Sequence, residues 1–192
     1  MVSAPFASVV ALQTFLQDPA LDVALAADAL ADATGLIRAA TGQWISLVED
    51  DVEEVEIRTA TDTFVLAQFP VVAIAKIETY SDTGATWSEV PAIGYRWLTS
   101  GVVRSTGWGA HWPFGYGRVR VTYDHGHPVI DETTPPGLHA VCLSIAARRT
   151  VNPQGRIAVS LGAFSESYGA SGPVLITPAE ERVLSAFRSP RF

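Results

Sequence analysis

The sequence contains a single cysteine, Cys142, and no long uninterrupted apolar run. One cysteine cannot form an internal disulfide, and it excludes a zinc site built from several cysteines. Charged residues interrupt the most apolar stretches, so none reaches the ~20 residues that a membrane-spanning helix needs. The first residues also lack a Lys or Arg before their apolar part and a clean cleavage site, so we expect no secretory signal. These absences favour a reducing cytoplasm as the place of synthesis.

Basic residues are also scarce. Thirteen Lys and Arg stand against twenty Asp and Glu, which gives a net charge of -7. A protein that coats nucleic acid needs an excess of positive charge, so the composition argues against this class. Hydrophobic residues make up 48% and charged residues 17% of the chain, a composition typical of a folded protein. The length of 192 residues predicts a single domain over residues 1–192.

The charge is divided unequally along the chain. Residues 1–95 carry 14 acidic and 3 basic side chains, whereas residues 96–192 carry 6 acidic and 10 basic side chains. Two interpretations remain open. Either the two halves neutralise each other within one molecule, or the acidic face of one subunit meets the basic face of the next subunit, head to tail, in a ring.

Two helices are predicted at the N-terminus. The first covers residues 5–17, and the second has Asp18 as its N-cap and Pro19 as its first residue. The second helix continues to Thr41 and ends at Gly42. Apolar residues at helical spacing predict its buried stripe, which comprises Val23, Ala26, Leu30, Ala33 and Ile37.

The other side of the second helix carries four carboxylates within about a third of its circumference, namely Asp18, Asp22, Asp28 and Asp32. Three leucines fall in the same acidic sector, namely Leu21, Leu25 and Leu36. Exposure to solvent does not call for leucines there. They either contact a second molecule or pack against the first helix.

The middle of the chain has the period of two that is typical of strands. Alternating runs separated by Gly-containing turns predict an antiparallel sheet, arranged as a small sandwich or an open barrel. Helical spacing returns after Pro135, and Thr177-Pro178-Ala179-Glu180 is the capping box of a last helix. Residues 157–168 predict a hairpin or an extended arm. The fold class is therefore α+β, with a helical part over residues 1–42 and 135–192 and a large antiparallel β insertion over 43–134.

No pattern indicates an enzyme. The sequence has neither a nucleophile elbow nor a phosphate-binding loop, and Cys142 lies among apolar residues of a predicted helix. His125 and His127 could chelate a cation only with further ligands, so we interpret them as part of a turn and predict no metal and no cofactor. The acidic run at residues 49–56 lacks a calcium-loop motif, and we interpret it as a solvated edge strand that its charge protects from aggregation.

Four aromatic residues lie within nine positions of a glycine-rich segment, namely Trp108, Trp112, Phe114 and Tyr116. Such a segment can stack nucleic-acid bases, contact a partner protein or fold onto its own sheet. Few basic residues lie nearby, which disfavours nucleic acid. Partner contact and self-packing both remain open.

The order of four segments resembles the head–tail connector (head completion, or adaptor) proteins of tailed bacteriophages. These segments are PALDVALAADALADATGLIRAATGQWI, GRVRVTYDHGHP, PPGLHAVCLSIAARRTVNPQG and LGAFSESYG with the later LITPAEERVLSAFR. The resemblance implies a structural virion protein without enzymatic activity. It implies a ring, usually dodecameric, beneath the portal protein, where the ring extends the channel for packaged double-stranded DNA without reading its sequence. The ring also offers a docking surface to the next neck or tail protein.

Two other functions stay open: a tail-terminator or tail-completion ring subunit, and a small ligand-binding module that uses the aromatic segment 107–117. For a connector, we predict that the acidic helix face meets arginines of an adjacent subunit and that the aromatic segment contacts a partner. The predicted interface residues are Asp22, Leu25, Asp28, Asp32, Leu36, Trp108, Trp112, Phe114, Arg148, Arg149, Arg182 and Arg188.

Overall fold

The computed structural model of the protein describes residues 4–81, 86–106, 111–112, 117–128, 135, 137–152, 158–161, 164–167 and 176–188. Helices open and close the chain and antiparallel strands lie between them, which confirms the predicted α+β class with a central β insertion. The chain divides into two compact units. The helical unit comprises Met1–Gly42 and Val129–Arg188, and the β unit comprises Gln43–Pro128 and Ser189–Phe192.

The helical unit begins with α1 (Val9–Leu16) and α2 (Val23–Thr41). The prediction that α2 starts at Asp18 is wrong, because the Asp18 carboxylate accepts a hydrogen bond from the backbone N–H of Ala20 at 3.0 Å and closes a turn there. Asp22 is the N-cap instead, and its carboxylate accepts from the N–H of Leu25 at 2.9 Å.

The C-terminal end of α2 is as predicted. Gly42 adopts the left-handed conformation with φ 69° and donates its N–H to the carbonyl of Arg38. The predicted stripe is buried in four of five positions, namely Ala26, Leu30, Ala33 and Ile37. Val23 is 62% exposed, so its assignment to the core is wrong. It is the first residue of the helix, where the packed stripe has not yet begun.

The later part of the helical unit contains α3 (Leu138–Val151) and α4 (Pro178–Ser185), and the capping box between Thr177 and Glu180 is present as predicted. Strands β8 (Ala158–Leu161) and β9 (Phe164–Ser167) pair antiparallel, which confirms the hairpin. They form a two-stranded sheet of their own.

The β unit contains two antiparallel sheets. Their strands are β1 (Val48–Ile57), β2 (Thr63–Val65), β3 (Val71–Ser81), β4 (Thr86–Glu89), β5 (Tyr95–Trp97), β6 (Val102–Ser105) and β7 (Gly117–His125). The first sheet has the order β1-β7-β3-β4 and the second the order β2-β6-β5. Side chains from both sheets, such as Val121 and Val103, belong to one apolar core, as in a sandwich. The acidic strand β1 lies at a sheet edge, as predicted.

Backbone hydrogen bonds join the first and last segments of the β unit. The N–H of His127 donates to the carbonyl of Ile45 at 2.7 Å, and the N–H of Leu47 donates to the carbonyl of His127 at 2.9 Å. Gly126 lies between them with φ 95°, and a β-carbon at this position would collide with the carbonyl oxygen of Ser46. Only glycine combines this backbone conformation with this close approach.

None of the helices within the described ranges combines the length and the apolar character that crossing a bilayer requires.

Candidate subunit interface

The acidic face of α2 contains carboxylates with different roles. Asp18 and Asp22 bind backbone N–H groups near the start of the helix. Asp32 accepts from Nε of Arg149 at 3.1 Å, and both side chains are about half exposed. Asp28 is exposed and forms no ion pair with a described residue. Asp28 is therefore the carboxylate of this face that is most available to another molecule.

A groove lies between α2 and α3 within the helical unit. It consists of two adjoining hollows of about 310 and 330 Å³, and both include Asp32 and Arg149. Leu25, which is 41% exposed, lies at one end and Leu36 at the other. The structure therefore brings five predicted interface residues together along one groove, namely Leu25, Asp28, Asp32, Leu36 and Arg149.

Arg148 does not take part in this groove. Its guanidinium donates to both carboxylate oxygens of Glu180 at 2.8 and 2.9 Å, and to Oγ of Ser144 at 3.0 Å. The Glu180 side chain is only 8% exposed, so the pair fastens α4 to α3 inside the helical unit. The charge of Arg148 is therefore neutralised by Glu180 within the same chain.

Burial alone raises the pKa of Glu180. Hydrogen bonds from Arg148, from the backbone and side chain of Thr177 and from Ser144 act in the opposite direction, because they stabilise the carboxylate. Together they outweigh burial and lower the pKa of Glu180 to about 2. Glu180 is therefore ionised at neutral pH, and its charge is a permanent part of the α3–α4 contact.

The remaining two predicted arginines lie on or just after α4. Arg188 donates to the carbonyl of Ala40 at 3.1 Å and pairs with Glu181 at 3.1 Å, with both side chains about half exposed. Arg182 is exposed and forms no ion pair with any residue of the described segments. Of the four arginines predicted at the interface, Arg182 is thus the one whose charge remains available to a second molecule.

Trp112 lies in the core of the β unit. It is 3% exposed, its indole N–H donates to the carbonyl of Asp62 at 3.0 Å, and its ring meets Phe64 edge to face at 5.0 Å. This placement favours the self-packing interpretation for this residue over partner contact. Trp108 and Phe114 lie outside the described residues.

The histidine turn contains an ordinary structural contact. His125 is buried, and its Nε2 lies 3.1 Å from Oδ2 of Asp51 on the neighbouring strand. His127 contributes its backbone to the closure of the β unit, and burial lowers the pKa of its side chain. Among the described residues, no three His, Cys, Asp or Glu side chains are grouped so that they could hold a metal ion.

One surface feature had only a weak signal in the sequence. On the outer face of the four-stranded sheet, the Arg118 guanidinium lies 4.4 Å from the Tyr80 ring and that of Arg120 lies 4.0 Å from the Trp87 ring. Both arginines also pair with Glu54. The alternation of Arg118 and Arg120 indicates a wet or partner-facing side. Their aromatic partners lie on β3 and β4, which are more than 30 residues away in the sequence, and only the fold brings them next to β7.

No family model matches the chain, and no curated protein matches it in sequence. Solved structures do share its fold. A chain from the neck of an empty gene transfer agent (GTA) particle, computed with C6 symmetry, is 16% identical with a TM-score of 0.54, over 96% of this chain and 90% of that chain. A chain from the virion of a native particle is 17% identical with a TM-score of 0.52, over 96% and 90%.

The neck of a native particle, computed with C12 symmetry, contains a chain that matches at a TM-score of 0.50 and 16% identity, over 96% of this chain and 89% of that chain. The protein has the fold of a gene transfer agent neck chain. Nearly the whole of both chains takes part, including the helices at both ends and the β insertion. The resemblance to head–tail connector proteins that the sequence predicted is therefore confirmed at the level of the fold.

Proposed function

We propose that the protein is a structural virion subunit of the neck, a head–tail connector that forms a ring beneath the portal. The ring extends the DNA channel and presents a docking surface to the tail or to the next neck protein. The observation that carries this proposal is the fold shared with neck chains over 96% of the length, together with the C6 and C12 symmetry of those necks.

The charge of the chain agrees with a channel that DNA passes through without binding. A net charge of -7 does not attract phosphates. The alternative of a tail-terminator ring is less well supported, because the chain of a β-rich terminator would not both begin and end with helices. Here α1 and α2 precede the β unit, and α3 and α4 follow it.

For the contact between subunits, we propose that the α2–α3 groove of one copy receives the exposed side of α4 from the next copy. Asp28 at the groove and Arg182 on α4 carry opposite charges, and neither forms an ion pair with another described residue of its own chain. Leu25 and Leu36 supply apolar surface at the two ends of the groove. A contact between two different surfaces of identical chains is the kind that closes a ring.

Charge and apolar contact have different effects in this interface. An exposed ion pair contributes only ~0–1 kcal/mol, so Asp28 and Arg182 set orientation and association rate. Burial of apolar surface contributes ~25 cal/mol per Å², so the leucines provide most of the affinity. Asp28→Lys should therefore slow ring formation and reduce its dependence on salt, while the monomer stays folded.

The charge test has an internal control. Glu49→Lys is the corresponding charge reversal at an exposed residue of the β unit. It should leave assembly unchanged, because the other five acidic residues of β1 remain. Combining Asp28→Lys with Arg182→Asp restores opposite charges and should restore the rate. A double variant no faster than Asp28→Lys alone would show that these two residues do not meet. Asp22 is unsuitable for this test because its reversal also removes the N-cap of α2.

The apolar contact is tested by Leu25→Asp, which should abolish assembly because it places an unpaired charge in the groove. Ile93→Asp is the matched control, since Ile93 is 86% exposed on the β unit and the same change there should have no effect. Rings of Leu25→Asp with normal mass would exclude the groove as the interface.

The role in the particle is tested by removing the protein from an assembling particle system. Heads and tails should then accumulate as separate particles, and complementation with the intact protein should join them. Tailed particles of normal yield without the protein would contradict the proposal.

A further inference from the structure

The two ends of the four-stranded sheet differ in a way that bears on assembly. Strand β1, at one end, carries six acidic residues among its ten, and Glu53 also accepts a hydrogen bond from the N–H of Ala67 at 3.0 Å. Charge of this density discourages the addition of another strand. Strand β4, at the other end, has the sequence TWSE with one acidic residue. The β4 edge therefore lacks the dense negative charge that protects the β1 edge.

The outer edge of β4 has backbone groups available for pairing. The N–H of Val90 donates to the carbonyl of Ile77 on β3 at 2.8 Å. In an antiparallel pair, the backbone N–H and C=O of successive residues point alternately toward and away from the partner strand. The N–H and C=O of Glu89 and Trp87 are therefore directed away from β3. No described residue bonds to them, and Thr86, Ser88 and Glu89 are exposed.

The hairpin β8–β9 has the complementary property. It is a two-stranded sheet that joins neither of the larger sheets, and its strands have four residues each, the same number as β4. A two-stranded hairpin alone is at best marginally stable in water, and a third strand stabilises it. The hairpin belongs to the helical unit and β4 to the β unit. Among the described strands, each of these two elements has an edge that pairs with no further strand.

We infer that the hairpin β8–β9 of one copy adds to the β4 edge of the next copy and extends its four-stranded sheet to six strands. The inference rests on the ring proposed above, since a contact between two different edges of identical chains repeats from subunit to subunit until the ring closes. Backbone hydrogen bonds along β4 provide the affinity. The acidic strand β1 at the far edge prevents the hairpin from adding on the wrong side.

Crosslinking of the full-length protein tests the contact directly. Ser88→Cys places a thiol on β4, and Ser165→Cys places one on β9. The native Cys142 can stay, because it is fully buried and burial raises the pKa of its thiol to about 11. A short bismaleimide should link the double variant, assembled on its portal, into a ladder of multimers on a denaturing gel, and neither single variant should give a ladder.

Mixing the two single variants separates contacts between chains from contacts within a chain. The mixture should give a crosslinked dimer and no longer species, because each chain then has one reactive edge. A crosslink within one chain of the double variant, or rings of correct mass without any crosslink, would overturn the inference and leave the proposed connector function intact. Absence of rings would instead count against the connector function itself.

A backbone variant adds an independent readout. Glu89→Pro removes the outward N–H and leaves the β3–β4 hydrogen bonds in place, as proline allows at a sheet edge. It should reduce the crosslinked fraction about tenfold, the effect of losing one strand hydrogen bond at each contact. Glu89→Ala keeps the N–H and should crosslink normally. Equal crosslinking of the two variants would show that β4 does not pair through its edge.

Discussion

Replacement of Glu180 by glutamine should destabilise the helical unit through a single, well-defined contact. The Glu180 carboxylate accepts two hydrogen bonds from Arg148, at 2.8 and 2.9 Å, and its side chain is 8% exposed. It also accepts from the N–H of Thr177 at 2.8 Å and completes the capping box of α4. Glutamine retains the shape of the side chain but removes the charge and one acceptor oxygen, so the guanidinium of Arg148 loses its ionised partner.

The magnitude follows from the pKa of Glu180, which lies at about 2 in the folded protein against an ordinary value of 4.5. This difference corresponds to about 3 kcal/mol at pH 7. Since the folded pKa is the lower one, the contribution is complete above about pH 4.5 and declines as the pH falls toward 2. At pH 3 it should have decreased to about 1.5 kcal/mol.

Urea unfolding followed by circular dichroism, at pH 7 and at pH 3, measures both values. The control is Glu181→Gln, the same change at the next residue, where the carboxylate is 57% exposed and pairs with Arg188 on the surface. It should cost less than about 1 kcal/mol at either pH. Equal instability of the two variants, or a deficit of Glu180→Gln that does not decrease between pH 7 and pH 3, would contradict the role assigned to the Glu180 carboxylate.

Three further predictions concern other parts of the chain. Gly126→Ala should cost about 3 kcal/mol or more in unfolding experiments, whereas Gly42→Ala should cost about 1 kcal/mol, because both positions have positive φ but only the first lacks space for a β-carbon; equal costs would contradict this. The thiol of Cys142 should react with a thiol reagent only after unfolding in urea, because it is buried and its pKa is raised to about 11; rapid labelling of the native protein would show that the site opens. EDTA should leave the melting temperature unchanged, because His125 is bonded to Asp51; a decrease of several degrees would indicate a metal at the histidine turn.

The parts of the fold that could be predicted from the sequence are those with strong local signals. The end of α2 at Gly42 and the capping box of α4 depend on residues within one turn of the helix end, and both were predicted. The start of α2 was not, because Asp18 and Asp22 are equally good caps by residue type. The hydrogen bond from Ala20 to Asp18 decides between them, and it forms only in the folded turn.

The candidate interface was predicted less completely, for a physical reason. Opposite charges on α2 and near the C-terminus are visible in composition, but the partner of each arginine depends on how the helices pack. Arg148 pairs with Glu180, which is 32 residues away in the sequence, and Arg149 pairs with Asp32, which is 117 residues away. Asp28 and Arg182 remain without an ion pair among the described residues, and composition alone could not identify these two. The burial of Trp112 against Phe64 is likewise a contact between segments far apart in the sequence.

The most direct test of the connector function is the mass of the purified full-length protein, measured by native mass spectrometry alone and with a portal protein from the same particle. A connector should give a complex in which the portal carries a complete ring of this chain, with a copy number that matches the portal symmetry. A protein that stays monomeric in the presence of the portal, and does not bind to it, would contradict the connector function.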